Sequence, residues 1–209
     1  MSETIKYGVV GSGVMGQEHI QNINIIESAE IVAVYDTNET SRNQAKSLVK
    51  ESVKFYNDLN ELIDKNIADA YIIATPNFTH IKILEQILKT NKHLLIEKPL
   101  CTTTEDCKKF ELLSKNYSKI IWTGMEYRYM PPVKQLINEV HNNVIGNLKM
   151  LSIREHRFPF LHKVDDWNRF SINTGGTLVE KCCHFFDLMR FVIQSEPVKV
   201  YASGNQDVN

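Results

Sequence analysis

What the sequence lacks narrows its class before any motif is read. Lysine and arginine number 24 against 25 aspartates and glutamates, the formal net charge is -1, and no long basic run occurs. The electrostatic footprint of a nucleic-acid or anionic-membrane binder is therefore missing, and neither nucleic acid nor membrane is expected as a partner. No apolar stretch approaches the roughly 20 residues needed to span a bilayer. The start, Met1-Ser2-Glu3-Thr4-Ile5-Lys6, has no charged leader, apolar stretch and cleavage site in secretory order. The four cysteines, Cys101, Cys107, Cys182 and Cys183, show no C-x-x-C spacing, so neither a disulfide framework nor a structural zinc site is signalled. A cytoplasmic chain with reduced thiols, no metal and a small neutral partner is the expectation. There is no internal repeat and no low-complexity linker.

What is present is an alternation of short apolar runs with helix-length amphipathic stretches. Ile5 to Val10, Ile31 to Tyr35, Ala70 to Ala74, His93 to Ile96 and Ile120 to Thr123 read as strands. They are nearly continuous in apolar residues, as strands covered on both faces must be, which points to a βαβ series with a parallel sheet. Between them Ile81, Leu84 and Leu88 recur at helical spacing, as do Phe110 and Leu113. Asp58-x-x-Glu61 and Thr102-x-x-Glu105 resemble capping boxes. From Gly124 the pattern changes. Pro131-Pro132 opens a helix through Val140, Leu148 to Phe158 reads as a long strand of mixed polarity, a helical stretch follows Gly175-Gly176 to about Ile193, and Val198 to Ala202 reads as a further strand. The expected fold is α/β: a Rossmann-type parallel-sheet domain over residues 1–124, followed by an incomplete α+β domain with a mostly antiparallel sheet over 125–209.

Gly11-Ser12-Gly13-Val14-Met15-Gly16 follows the first strand and opens the first helix, and Asp36 ends the second strand about 20 residues on. Gly11 permits the tight turn, Gly13 leaves room for a pyrophosphate, and Gly16 lets helix and strand approach. The helix N-terminus offers unpaired N–H groups and the positive end of its dipole. The alternative is a glycine-rich turn without a ligand; strand before, helix after and acid beyond favour dinucleotide binding. Asp36 suits the ribose hydroxyls and would repel a 2′-phosphate, so NAD is expected, with NADP left open by Arg42.

Thr75-Pro76-Asn77-Phe78-Thr79-His80 follows the strand at 70–74, and Glu97-Lys98-Pro99 follows the strand at 93–96. Together with Gly124-Met125-Glu126-Tyr127-Arg128-Tyr129-Met130-Pro131 and with Gly175-Gly176-Thr177-Leu178-Val179-Glu180 followed by His184 and Asp187, they give the chain its family character. Over essentially its whole length it resembles the Gfo/Idh/MocA family of nicotinamide-dependent sugar and cyclitol oxidoreductases. That resemblance implies a cofactor site including Thr75, Pro76, Asn77, His80, Glu97 and Lys98 beside the glycine loop. It implies that Lys98 stands next to the nicotinamide and the reacting carbon, where an ammonium can polarise a carbonyl or hold a hydroxyl oxygen. Thr75-Pro76 and Glu97-Lys98-Pro99 also fall, independently of any family, where open α/β sheets bind ligands. A solvated surface lysine is the alternative for Lys98.

On a predicted continuous helix Glu180 and His184 share a face. His184 can take a proton from an alcohol at neutral pH, with Glu180 orienting it; a structural pair or a metal-binding pair is the alternative, and the redox chemistry needs no metal. The family more often has aspartate where Glu180 stands and small residues where Lys181-Cys182-Cys183 stand. Cys183 reads as a small buried hydrophobe rather than a reactive thiol. Trp167 and Arg128 are candidates for the substrate pocket or, equally, for packing. The other histidines, His19, His93, His141, His156 and His162, receive no role. The leading expectation is hydride transfer between NAD(P) and a sugar, cyclitol or related polyol, with a homo-oligomer formed through the second domain as an option. Two rivals stand beside it: a cofactor-binding but silent truncated paralogue, since family members usually continue past the point corresponding to Asn209, and an NAD-dependent glycosidase.

Overall fold

The apolar runs become the centre of one parallel sheet. A computed structural model of the chain describes residues 4–156 and 161–204. Strands β1 (Ile5–Val10), β2 (Ala29–Tyr35), β3 (Lys54–Tyr56), β4 (Ala70–Ile73), β5 (His93–Ile96) and β6 (Ile121–Thr123) lie in the order β3-β2-β1-β4-β5-β6, every neighbouring pair parallel. The order reverses between β1 and β4, which opens a crevice beyond their carboxyl ends. Strand β3 was not among the sequence expectations. It is a three-residue edge strand with no fully buried position, and Lys54 leaves only Phe55-Tyr56 as an apolar run, too short to read as a strand.

Helices cover both faces, as the near-continuous apolar strands require. On one face Val9, Val34 and Ile72 meet Ile20 and Ile23 of α1 (Val14–Asn24) and Ala45 of α2 (Glu39–Lys46). On the other, Val10, Tyr71, Ile73 and Ile96 meet Leu59 and Leu62 of α3 (Leu59–Lys65), Ile81, Leu84 and Ile87 of α4 (His80–Ile87) and Phe110 of α5 (Thr104–Ser114). Adjacent residues of one strand thus serve opposite layers. Helix starts are fixed by side-chain caps: Asn38 Oδ1 accepts from Ser41 N at 2.9 Å and Asp58 Oδ1 from Asn60 N at 2.7 Å. The cap of α5 is Thr103, whose hydroxyl accepts from Asp106 N at 3.1 Å; the box expected at Thr102 is displaced by one residue because either threonine offers the same oxygen. Leu113, expected on the buried stripe of α5, is exposed.

By contacts the chain divides into two units, residues 1–124 with 157–183, and residues 125–156 with 184–209. Within the first, α7 (Ser171–Thr174) and α8 (Thr177–Glu180) belong with the parallel sheet. Gly175 makes that possible: its φ is +76°, and a Cβ there would stand 2.6 Å from the Thr102 carbonyl oxygen. Within the second unit, Ile137 of α6 (Pro131–His141) packs with Leu188 and Val192 of α9 (Cys183–Ile193). Among the described residues no strand forms at 148–156 or at 198–202. The antiparallel sheet expected there is not observed, and the remainder of the expected 148–158 strand lies outside the described residues. Alternation reports only a capacity to pair, and a ladder needs a second strand to complete it; Val198, Val200 and Tyr201 are largely exposed.

The tightest packing lies where β1 turns into α1. A Cβ on Gly16 would fall 1.9 Å from the Gly11 carbonyl oxygen. Alanine normally stabilises a helix interior by about 1 kcal/mol over glycine, but here the clash reverses the sign. Gly16→Ala should lower the free energy of unfolding by about 3 kcal/mol or more, read as a fall in the urea midpoint; an unchanged or raised midpoint would contradict the packing described.

Candidate functional site

Beyond the carboxyl ends of β1, β4 and β5 the first unit holds a crevice of about 1030 Å³, whose lining includes Gly11, Gly13, Val14 and Met15 together with Lys98, Trp167 and Glu180. Its first wall is the glycine turn. Gly11 has φ +97°, and a Cβ there would lie 2.7 Å from the Ala74 backbone, so only glycine lets β1 and β4 exit side by side. A Cβ on Gly13, at φ −68°, would meet no atom within 4 Å. The space above it is open. Gln17 N is the first amide of α1 to find an intrahelical acceptor, at Gly13 O (2.9 Å), so the amides of the first turn remain available to an anion.

Asp36 does two things at the tip of β2. Its Oδ2 accepts from Ser12 N at 2.6 Å and from the Ser12 hydroxyl at 3.2 Å, and its Oδ1 accepts from Asn38 N at 2.8 Å. The carboxylate thereby fixes the glycine turn while lining the crevice, and a carboxylate retains lone pairs for further donors. Arg42 Nη1 donates to the Asp36 carbonyl at 2.6 Å and does not line the crevice.

At the exit of β4, Thr75, Pro76 and Asn77 line the wall. Asn77 is 7 % exposed, and its amide nitrogen has no partner. A buried donor left this way costs free energy unless something accepts from it, so it fits an oxygen-rich occupant. Asn168, also in the lining, presents an amide oxygen in the same condition. His80 stands behind this wall: fully buried, its Nε2 lies 3.0 Å from Thr75 O and its Nδ1 3.1 Å from Pro99 O. It ties the β4 exit to the β5 exit. Ser12, Gly16 and His80 therefore shape the crevice without lining it. Burial pushes the His80 imidazole below its usual pKa, against the three surrounding carbonyls and Glu97, which favour the proton.

The β5 exit carries Glu97 and Lys98. Glu97 is buried, and its Oε1 lies 2.7 Å from His19 Nε2. Burial alone would raise its carboxyl pKa, but His19 and Lys98 together hold it below the usual range. His19 had no assigned role from the sequence; nothing in its spacing marks the contact. Lys98 Nζ donates to the Glu180 carbonyl at 3.3 Å, and the Glu180 carboxylate is buried with Oε1 3.6 Å from Lys181 Nζ. Lys163, another residue the sequence reading passed over, lines the same crevice. Burial, then the ammoniums of Lys181 and Lys98, push Lys163 below the usual lysine range, and Glu180 and Glu97 oppose this. Next to it Asp165 and Asp166 adopt φ of 53° and 46°, a left-handed pair that turns the chain so that Trp167 reaches the crevice. Trp167 meets Phe78 edge-on, 6.3 Å between centroids.

Two expectations change. The helix expected from Gly176 to Ile193 is two helices: the amides of Lys181 and Cys182 both turn back to Thr177 O, at 2.9 and 3.2 Å, which closes α8 before α9 begins. Glu180 and His184 consequently do not share a helix face, and they fall in different units. In its own unit His184 is buried, stacks on Tyr127 at 4.0 Å between centroids, and has its Nε2 3.5 Å from Glu126 Oε1. Arg128, the other expected substrate contact, is a two-pronged partner of Asp187, Nε to Oδ2 at 2.6 Å, and lies over the Phe191 ring. Its donors are used in packing its own unit. The Cys183 thiol donates to Glu180 O at 3.6 Å.

Comparison with known proteins adds an independent line. Residues 5–125 match GFO_IDH_MocA, described as an oxidoreductase family with an NAD-binding Rossmann fold, and residues 137–209 match its C-terminal alpha/beta domain. The chain is 32% identical over 213 residues to glucose-6-phosphate 3-dehydrogenase of Bacillus subtilis, covering 98% of this chain and 58% of that protein. It is 30% identical over 203 residues to myo-inositol 2-dehydrogenase of Thermotoga maritima, covering 96% and 58%. The chain thus spans about 58% of the length of these curated relatives. In fold it is similar to the crystal structure of myo-inositol dehydrogenase from Lactobacillus casei in complex with NAD(H) and myo-inositol, with a TM-score of 0.74, 23% identity, and coverage of 98% of this chain and 62% of that one.

Two measurements follow. Gly13→Ala should leave stability within about 0.5 kcal/mol, because the new methyl meets nothing, yet weaken NADH binding by about tenfold or more in a fluorescence titration; unaltered binding would remove the diphosphate from this position. The second concerns pH. His80 is held neutral in the fold, so the unfolded chain binds more protons as pH falls through the usual histidine range near 6.5. Stability should drop between pH 7 and 5, and His80→Gln should reduce that slope in paired urea titrations. The depressed Glu97 carboxyl adds its loss only at lower pH, through the carboxylate range.

Proposed function

Because the chain belongs to the Gfo/Idh/MocA family of oxidoreductases, as the match over residues 5–125 shows, we propose that it is an NAD-dependent dehydrogenase or reductase acting on a CH–OH group of a sugar, cyclitol or related polyol. The observation that carries this reading is the Lys98 ammonium, which faces the same crevice as the open backbone above Gly13. A bare cradle alone would suit many nucleotides. With a cation beyond the adjoining strand tips, it suits redox chemistry at a carbon bearing oxygen.

When bound, NAD supplies the hydride acceptor or donor. The chain's own groups do the rest. The first-turn amides of α1 receive the diphosphate, and Asp36 accepts from ribose hydroxyls; its charge, with Arg42 already donating to the Asp36 carbonyl, disfavours the 2′-phosphate of NADP. Asn77 Nδ2 donates to an oxygen of the occupant. Lys98 Nζ stabilises the substrate oxygen as negative charge gathers on it during alcohol oxidation; the Glu180 carbonyl, already 3.3 Å away, keeps the ammonium aimed. His184 remains the candidate for proton removal, on the chemical ground that an imidazole exchanges protons near neutral pH. Trp167 and Phe78 offer apolar faces to the carbon skeleton. The four cysteines form no disulfide, which suits a reducing, cytoplasmic setting.

Lys98→Met tests the reading. Formation of NADH from a panel of polyols, followed by absorbance, should fall at least about 100-fold in kcat/KM while NADH affinity stays within about tenfold. Turnover equal to that of the unmodified protein would overturn the role of Lys98. Hydrolysis of an activated glycoside without NADH accumulation would replace the dehydrogenase by a hydrolase that uses the cofactor transiently.

A further inference from the structure

The crevice lining holds two buried amides with an atom that nothing in the protein satisfies. Asn168 is 4 % exposed and belongs to the lining. Its Nδ2 donates to the Leu161 carbonyl at 3.1 Å, which fixes Oδ1 as the remaining atom, and that oxygen is buried without a partner. The stretch that carries it is held in place. The left-handed pair Asp165 and Asp166 turns the chain there, and Asn173 Nδ2 donates to the Trp167 carbonyl at 3.1 Å. Asn77, in the same lining, has the complementary want, an amide nitrogen with nothing to donate to. The edge-on contact of Phe78 with Trp167, 6.3 Å between centroids, joins the immediate neighbours of these two asparagines. Even so, the acceptor of one does not meet the donor of the other. A buried acceptor is costly when nothing donates to it, so a fold that keeps one has an occupant that does.

We propose that Asn168 is a specificity-determining residue for the substrate: its Oδ1 receives a hydrogen bond from a neutral hydroxyl of a polyol whose carbon skeleton lies against Trp167. This rests on the dehydrogenase reading above and deepens it by naming the group that the site recognises. The first turn of α1, Asp36 and the β4 exit already provide for the dinucleotide, and all of them belong to the βαβ series. Asn168 does not. It follows β6, on a stretch that also contributes Val164, Trp167 and Phe170 to the lining. One acceptor among aromatic and aliphatic side chains matches a ring whose faces are C–H and whose rim is O–H. The amide oxygen also discriminates without using charge. A hydroxyl can donate to it, whereas a carbonyl, an ether or a carboxylate at that place presents a second acceptor and is opposed.

The probes are D-glucose and myo-inositol with the monodeoxy derivatives of each, titrated calorimetrically into the NADH-loaded protein. Loss of at least one hydroxyl should weaken binding by about tenfold or more. In Asn168→Leu, or the smaller Asn168→Ala, the penalty for that hydroxyl should vanish, while Asn168→Asp, which keeps an oxygen at the position, should retain it. NADH affinity of the variants should stay within about threefold, and comparison of paired ligands within one variant separates loss of the contact from a general disturbance of the fold. The absence of any deoxy penalty in the unmodified protein would overturn the proposal, as would penalties that all survive in Asn168→Leu. So would a loss of NADH affinity of about tenfold with the penalties unchanged, since the oxygen would then serve the cofactor, and so would failure of both polyols to bind. A penalty that passes through Asn168 without NADH formation from either polyol would instead defeat the dehydrogenase reading and leave the hydroxyl site standing, so the two failures are separable.

Discussion

The closeness of three backbone segments at the start of α1 governs the rest of this molecule. Gly16 lies so near Gly11 that a methyl would be 1.9 Å from its carbonyl oxygen, and Gly11 lies so near Ala74 that a methyl would be 2.7 Å from its backbone. No side chain can be inserted at either contact, and so β1, α1 and the β4 exit form one rigid corner. The corner also sits where the strand order reverses. Crevice and corner are thus one feature: the sheet opens there because the connections leave in opposite directions, and the backbone is bare there because it must pass itself.

Around that corner buried polar groups act as ties. Ser12 is held to Asp36, His80 joins the β4 and β5 exits through carbonyl oxygens, and His19 of α1 holds Glu97 beyond β5. The first two ties each join two strand tips and the third joins α1 to the β5 exit, so together they fix the rim in a way that apolar packing beneath the sheet does not. Buried polar contacts of this kind add little net stability but select one geometry. They also explain why several residues of the glycine and strand-tip motifs do not line the crevice: Ser12, Gly16 and His80 are needed behind it.

How much of this could be read in the sequence follows from the range of each signal. The glycine turn, Asp36, five of the six strands and the Glu97-Lys98 tip are local patterns with local causes, and they were legible. Strand β3 was not, since Lys54 cuts its apolar run to Phe55-Tyr56, whereas β6, equally short and also at an edge, lies in the unbroken run Ile120-Ile121-Trp122. The interruption between α8 and α9 was missed because helical spacing extends through Lys181 and Cys182 without a glycine or proline to stop it; the stop is the shared acceptor at Thr177 O. Long-range meetings were invisible. His19 and Glu97 are separated by 78 positions and Lys98 and Glu180 by 82, and no spacing rule reaches that far. For Arg128 the sequence left substrate contact and packing equally open: a guanidinium suited to a hydroxylated ring is equally suited to a carboxylate, and it pairs with Asp187.

A formal net charge of -1 describes the whole chain, and charge that nearly cancels over a chain says nothing of how it is distributed within one crevice. Two parts of the lining carry their charge by different means. At the glycine turn it comes from amide dipoles, with the Asp36 carboxylate close by. At the strand tips it comes from side chains of both signs, Lys98, Lys163 and Lys181 with Glu97, Asp165 and Glu180. Dipoles fixed in a backbone recognise a shape that never varies, as a cofactor's does. Charges on side chains are the means by which one fold can be retuned to different ligands, because a side chain can change without moving the corner that builds the crevice.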